Sequence, residues 1–324
     1  MISSPIADGV IDVHAHWLPA ELFHLPPGAP YGGMRDRDGE LYLGDIPLSI
    51  STRAMSDVPA TLADMSAAGV GVRVLSAPPF AFPVGGGAGA GTYVTAFNDA
   101  LSAVVSEAGG RLLGLGMVSL DDSDEARDQM ERLAQTEGIA GIALPPLLAG
   151  QSLDQGALRR ILTDAEDLAL AVLVHPMQLP RPEWSDHYLA NLIGNPVESA
   201  TAVAALILGG VKEQLPRLRI CFVHGGGCAP ALLGRWTHGW HTRADVRAHS
   251  TRPPNDVFGE LFFDTVTHDP GLLELLAAHA SKDGIVCGSD YPFDMAQQGP
   301  VRFATDHGPD AESLTSNARA FLGL

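Results

Sequence analysis

Gly9-Val10-Ile11-Asp12-Val13-His14-Ala15-His16 decides how the rest of the chain is read. An apolar run ends in two histidines two residues apart. Because successive strand side chains face opposite ways, Asp12, His14 and His16 share one face. Two imidazoles so placed can hold one cation, although His-x-His also occurs in chains that bind no metal. Three further apolar runs end in the same manner. Residues 168–174 lead into His175-Pro176, residues 218–223 into His224-Gly225-Gly226-Gly227, and residues 284–288 into Ser289-Asp290-Tyr291-Pro292. Continuous apolar runs closed by Gly or Pro mark buried parallel strands, whose C-terminal ends carry function in α/β barrels. For any one of these residues a hydrogen-bonded strand end is an adequate explanation. Four histidines and one aspartate at the ends of four strands point instead to a shared metal site.

Between these runs the chain alternates strand and helix patterns. The strands fall at residues 9–14, 70–75, 112–118 and 141–144, then at the runs ending in His175 and His224, at 261–266, and at the run ending near Asp290. Helical patterns such as 92–106, 123–136 and 271–280 separate them. Eight strands with helices between them imply a (β/α)8 TIM barrel. Residues 18–57 do not fit the alternation, being rich in Pro, Gly and charge (Pro26-Pro27-Gly28, Arg35-Asp-Arg-Asp-Gly39) with short extended runs such as 40–43. They read as an insertion after strand one that caps the active site, the plain alternative being an ornamental loop. The glycine run 85–91 lacks the Lys-Ser/Thr of a phosphate loop and reads as a lid or linker.

Composition narrows the function classes. A chain of 324 residues exceeds the usual domain, yet α/β barrels reach this length as one unit, and residues 1–324 are read as a single domain. A 46% hydrophobic and 18% charged content is that of a globular protein. The net charge of −18 argues against a nucleic-acid partner, which needs a basic face. Apolar stretches such as 200–211 are too short or too interrupted by Gly to span a bilayer, and no basic segment precedes a signal-like core, so no membrane role and a cytoplasmic location are expected. The three cysteines, Cys221, Cys228 and Cys287, show no CxxC spacing and are expected as small buried residues.

The residues also carry a family resemblance. Asp12-Val-His-Ala-His16, Leu173-Val-His-Pro176, Cys221-Phe-Val-His-Gly-Gly-Gly227, Leu233-Gly-Arg235 and Gly288-Ser-Asp-Tyr-Pro-Phe293 resemble the amidohydrolase superfamily. More narrowly, they are similar to its aminocarboxymuconate-semialdehyde decarboxylase (amidohydrolase-2) family. Pro253-Pro254, Phe262-Phe-Asp264 and His268-Asp-Pro270 extend the similarity, which spans nearly the whole chain. The resemblance implies His14, His16, His175 and Asp290 as ligands of one divalent metal, usually zinc, with a water at a fifth position and His224 as catalytic acid/base. Such a donor set would lower the pKa of zinc-bound water from ~15.7 towards ~7, and it would also accept manganese, cobalt or iron. Gly141-Ile-Ala-Leu-Pro-Pro146 on strand four holds no Lys or Glu to bridge a second metal, so one ion is expected.

The same resemblance implies a small carboxylic acid substrate, and arginines that pin a second acidic group. Arg235 and Arg243 match such positions and, in the family, reach the neighbouring subunit's site, which implies a homodimer; a surface charge is the plain alternative for each. The family's further substrate arginine falls near Ser49, and Arg53, the nearest arginine, is the substrate-binding candidate that a shifted loop would place in the site. Met177 replaces a family aromatic, and a pocket tryptophan falls on Asn191. The leading expectation is metal-dependent, non-oxidative decarboxylation of an unsaturated or aromatic acid. The alternatives are hydrolysis of an amide, lactone or related ring-fission product at the same site, hydration of a C=C bond, and an inactive metal-binding scaffold.

Overall fold

Each apolar run bounded by turn residues forms a short parallel strand. The computed structural model describes residues 6–24, 34–87, 89–179 and 181–324. Its main sheet orders Ile11–His16, Val72–Ser76, Leu112–Gly116, Ile139–Leu144, Ala171–Val174, Ile220–Phe222, Phe262–Asp264 and Ile285–Val286 as successive neighbours. Every described pairing within it is parallel. The first and last strands then meet. Asp12 bridges Cys287 and Ala15 bridges Tyr291, with Val13 N–H donating to Cys287 O (2.9 Å) and His16 N–H to Tyr291 O (2.7 Å). This seam closes the expected (β/α)8 barrel. Most strand residues are buried on both faces, which is why the strands read as continuous apolar runs rather than as alternation.

A helix follows each strand and returns the chain to the N-terminal rim: Val58–Ala68, Ala90–Glu107, Ser123–Gln135, Gly156–Asp167, Asn195–Leu208, Ala229–Thr242, Pro270–His279 and Ala311–Leu322. Three begin with a side-chain cap. Asp122, Asp269 and Asp310 each accept from backbone N–H groups of the first turn, satisfying donors that the helix itself leaves free. The last helix ties the seam, since Thr315 Oγ1 donates to Gly9 O (3.3 Å) and Asn317 Nδ2 to Ile285 O (2.9 Å). Ala190–Leu208 is long and apolar enough to cross a membrane by composition, but Ala202, Val203, Leu206 and Ile207 pack it into the core. Cys221 and Cys287 are buried free thiols, as expected, whereas Cys228 is only half-buried.

Some boundaries move. The first strand starts at Ile11 rather than Gly9, because Gly9 turns at φ +112 where the chain presses on Gly71, whose added Cβ would lie 2.2 Å from Asp8 O. The fifth starts at Ala171, since Leu168 caps the preceding helix and Ala169 adopts a left-handed turn. Within the insertion, Met34–Arg37, Glu40–Leu43 and Ile46–Ser51 form an antiparallel sheet that buries Met34, Leu41 and Ile50. Trp17 Nε1 donates to Ser56 O (3.0 Å) and Leu18 N–H to Met55 O (3.1 Å), so its far end is fastened to the first strand's exit. Residues 26–28 of the insertion, and Ala88 in the glycine run, lie outside the described residues.

One buried ion pair braces the seam. Asp12 Oδ2 accepts from Arg73 Nε (2.8 Å) and Ser289 Oγ (2.6 Å), while Oδ1 accepts from Ser289 N–H (3.0 Å) and His14 N–H (3.2 Å). Both Asp12 and Arg73 are fully buried, and the guanidinium lies 4.5 Å from the centre of the Tyr291 ring. Removing one partner would leave an uncompensated buried charge, so Arg73→Met is expected to cost about 3–5 kcal/mol. Chemical denaturation of the metal-free protein checks this, and an unchanged midpoint would show that the pair contributes nothing.

Candidate metal centre

The C-terminal ends of four barrel strands deliver the cluster. His14 and His16 share the inner face of the first strand, His175 follows the fifth, His224 the sixth, and Asp290 the eighth. One donor atom from each of His14, His16, His175 and Asp290 lies within 4.8 Å of the others. Nε2 of His14 is 3.3 Å from Nε2 of His16, and Asp290 Oδ1 lies 3.2, 3.1 and 4.0 Å from the Nε2 atoms of His14, His16 and His175. His224 stands beside them, its Nε2 3.4 Å from Asp290 Oδ2. Asp12 does not join the cluster, because its carboxylate serves Arg73 and Ser289.

The outer hydrogen bonds fix which ring nitrogen points inward. Asp264 Oδ2 accepts from His14 Nδ1 (2.6 Å), Ala77 O from His16 Nδ1 (3.2 Å) and Pro176 O from His175 Nδ1 (2.6 Å). A carbonyl or carboxylate oxygen can only accept, so each Nδ1 carries hydrogen and each Nε2 faces the shared centre. Nε2 of His175 is buried with no hydrogen-bond partner. Three inward imidazole nitrogens and one carboxylate, each imidazole oriented by a second acceptor, fit a divalent cation.

Electrostatics describe the same crowding. Burial would lower His14, but Asp290 and Asp264 outweigh it and raise the imidazole to about 10. Burial carries His175 down to about 3 despite Asp290, and the neighbouring imidazoles push it the same way. Burial also lowers His16. Burial alone would raise Asp290, yet His14, His16 and His175 hold its carboxyl well below the usual range. His224 and Asp290 adopt left-handed backbone, at φ +54 and +62, a conformation that costs energy in non-glycine residues and collects at functional sites. A cavity of about 360 Å³ opens at His224 and Asp290 and is lined also by Asn191, Asn195, Thr267 and His268. No lysine or arginine is among the described residues lining it.

The expected arginines are not brought to the cluster within one chain. Arg53 is 78% exposed and pairs with Asp57 (3.1 Å). Arg235 is exposed on Ala229–Thr242, and Arg243 binds Asp245 with both Nε (3.1 Å) and Nη2 (2.7 Å) at the surface. The role of Asp264 was missed from sequence, although its place at the end of the seventh strand was a usable signal. Glu198 was missed too. Its carboxylate accepts from Met177 N–H (2.8 Å) and Leu179 N–H (2.6 Å), holding the segment after His175, and nothing local in the sequence marks it.

A family model described as amidohydrolase matches residues 11–324. A 2-amino-3-carboxymuconate-6-semialdehyde decarboxylase of Dictyostelium discoideum is 28% identical, the match covering 97% of this chain and 91% of that protein. The crystal structure of Metarhizium anisopliae IDCase superposes with a TM-score of 0.82 at 21% identity, covering 97% of both chains. That of a 5-carboxyvanillate decarboxylase from Novosphingobium aromaticivorans, complexed with manganese and a nitrobenzoic acid, gives 0.78 at 16% identity over 97% of this chain and 96% of that one. The donor set predicts that His175→Ala and Asp290→Ala fold but lose stoichiometric metal, while Asp264→Asn binds it ~10- to 100-fold more weakly. Because His14 carries a proton below about 10, metal uptake at neutral pH should release it, and affinity should fall as pH falls. Calorimetry in buffers of different ionisation enthalpy checks this, and full occupancy in both alanine variants would refute the donor set. With the family model spanning the barrel from its first strand to the last residue, the chain belongs to the amidohydrolase family.

Proposed function

We propose that this protein is a metal-dependent, non-oxidative decarboxylase of a small unsaturated or aromatic carboxylic acid. The observation that carries the reading is the convergence of His14, His16, His175 and Asp290 beside His224, in a chain similar over 97% of its length to a 2-amino-3-carboxymuconate-6-semialdehyde decarboxylase. The four residues would hold one divalent ion, most naturally zinc for three imidazoles and a carboxylate, with manganese as an acceptable substitute. When bound, that ion supplies a Lewis acid for a substrate oxygen.

The remaining chemistry belongs to the protein. Nε2 of His224 faces the Asp290 carboxylate at the cavity wall, where it can deliver a proton to the carbon that bears the departing carboxylate and regain one from solvent. The bond from that carbon to the carboxylate breaks, its electron pair takes the proton, and CO2 leaves as a neutral molecule. Leu192, Pro196, Val266, Leu272 and Met295 give the cavity apolar walls that favour loss of a charged group. Asp264 positions His14 rather than touching substrate.

Residues 1–324 are read as one barrel domain with residues 18–57 as its cap, acting in the cytoplasm on products of aromatic catabolism. The absence of any cation on the described cavity wall supports a homodimer in which Arg235 and Arg243 of a second copy complete the site. A monomeric, fully active protein in sedimentation would remove that role. The same wall supports one other reading, hydrolysis of a neutral amide or lactone, which needs no cation to hold a second acid.

The deciding assay gives zinc-loaded protein 2-amino-3-carboxymuconate-6-semialdehyde and follows its absorbance together with released CO2. Equal loss and release, abolished by chelation, are expected. His224→Ala should keep its metal while the rate falls ~10²–10⁴-fold. Turnover of amides or lactones without CO2 would replace this reading with hydrolysis.

A further inference from the structure

The decarboxylase reading leaves one part of the cavity wall without a role. Asn195 lines it, only 7% exposed, and among the described residues its carboxamide makes no hydrogen bond, Oδ1 being shut off from solvent without a partner while Nδ2 is not. Buried amides are almost always paired, so the acceptor for Nδ2 is to be sought in what fills the cavity.

The local backbone holds the side chain in place. Ala190–Gly194 is a π-helical turn, a rare geometry that collects at functional sites, and Pro196, which has no N–H to donate, follows it. Pro196 O accepts from Cys228 N–H (3.2 Å), and a Cβ added at Gly227 would lie 2.2 Å from the same oxygen. The backbone beside Asn195 is therefore pressed onto the glycine turn that follows His224. Asn191 adds a second amide to the same wall. Neutral amides pair with hydroxyl and amino groups, whereas a second carboxylate calls for a cation.

The geometry points to Asn195 as a specificity-determining residue that hydrogen-bonds a hydroxyl or amino substituent on the substrate acid, an assignment that rests on the proposed decarboxylase function. A site built to bond such a group discriminates against the analogue that lacks it.

Calorimetry on the zinc-loaded protein tests this with benzoate and with its 2-, 3- and 4-hydroxy and 2-, 3- and 4-amino derivatives, with and without chelator. A preference of about tenfold for at least one 3- or 4-substituted acid over benzoate is expected in the wild type, since those substituents lie too far from the carboxylate to chelate the metal themselves. Asn195→Leu should abolish that preference with metal content unchanged, and Asn195→Ser should do the same if the leucine variant does not fold. Equal binding of all acids by the wild type, or a preference that survives both substitutions, would overturn the assignment and leave Asn195 merely hydrated. If no acid binds in a chelator-sensitive way, the carboxylic-acid reading itself falls, a result separable from the other two.

Discussion

The Asp12 carboxylate receives four hydrogen bonds where the barrel closes, from Arg73 Nε, from the N–H and Oγ of Ser289, and from the N–H of His14. Two of these partners belong to the segment between the eighth strand and Asp290, one belongs to the second strand, and one is the backbone of the first histidine of the metal cluster. Closing the sheet and placing the metal donors are thus one event. His14 and His16 sit on one side of the seam and Asp290 on the other, and Asp12 fastens both to the same buried anion. With no solvent at this depth, a bond missing here would go uncompensated, which is why the seam is rigid enough to hold strained backbone at Asp290.

Around that seam, the cluster gathers more lone pairs than a low-dielectric interior tolerates alone. Each imidazole spends its outer N–H on Asp264, Ala77 O or Pro176 O, leaving three inward nitrogens facing one carboxylate. A single proton on His14 relieves part of this crowding, and His175 Nε2 still has no partner. A dication would satisfy all four donors together. Asp264 matters most among the outer acceptors because it is charged, and it also accepts from Gly225 N–H (2.9 Å) in the turn after His224. One carboxylate therefore orients a metal donor and the proposed proton donor together.

The substrate side is built differently. Its wall mixes apolar groups with two asparagines, and one chain supplies it no lysine or arginine among the described residues. Where the family resemblance leads to a tryptophan, this chain has Asn191, and Asn195 stands one turn later. Under the proposed function, such a wall would read the part of the acid that the metal does not hold.

Sequence alone determined the barrel, because strands buried on both faces must be apolar throughout and the helices between them must alternate with that pattern. It also identified His14, His16, His175, His224 and Asp290, since a strand followed at once by a polar residue and a turn is a local signal. Strand edges at Gly9 and Leu168 were misplaced because apolar character does not reveal where a glycine or a left-handed residue turns the chain. Only the tertiary structure showed Asp12 bound to Arg73 rather than beside the metal, Glu198 gripping the segment after His175, Arg53 facing solvent, and Asn195 unpaired on the cavity wall. Arg73 lies 61 residues from Asp12, and Met177 and Leu179 lie 21 and 19 residues from Glu198, while Arg53 turns to its near neighbour Asp57 and Asn195 Oδ1 finds no partner. Periodicity reports which face a residue occupies, whereas what meets it there is decided only when the barrel closes.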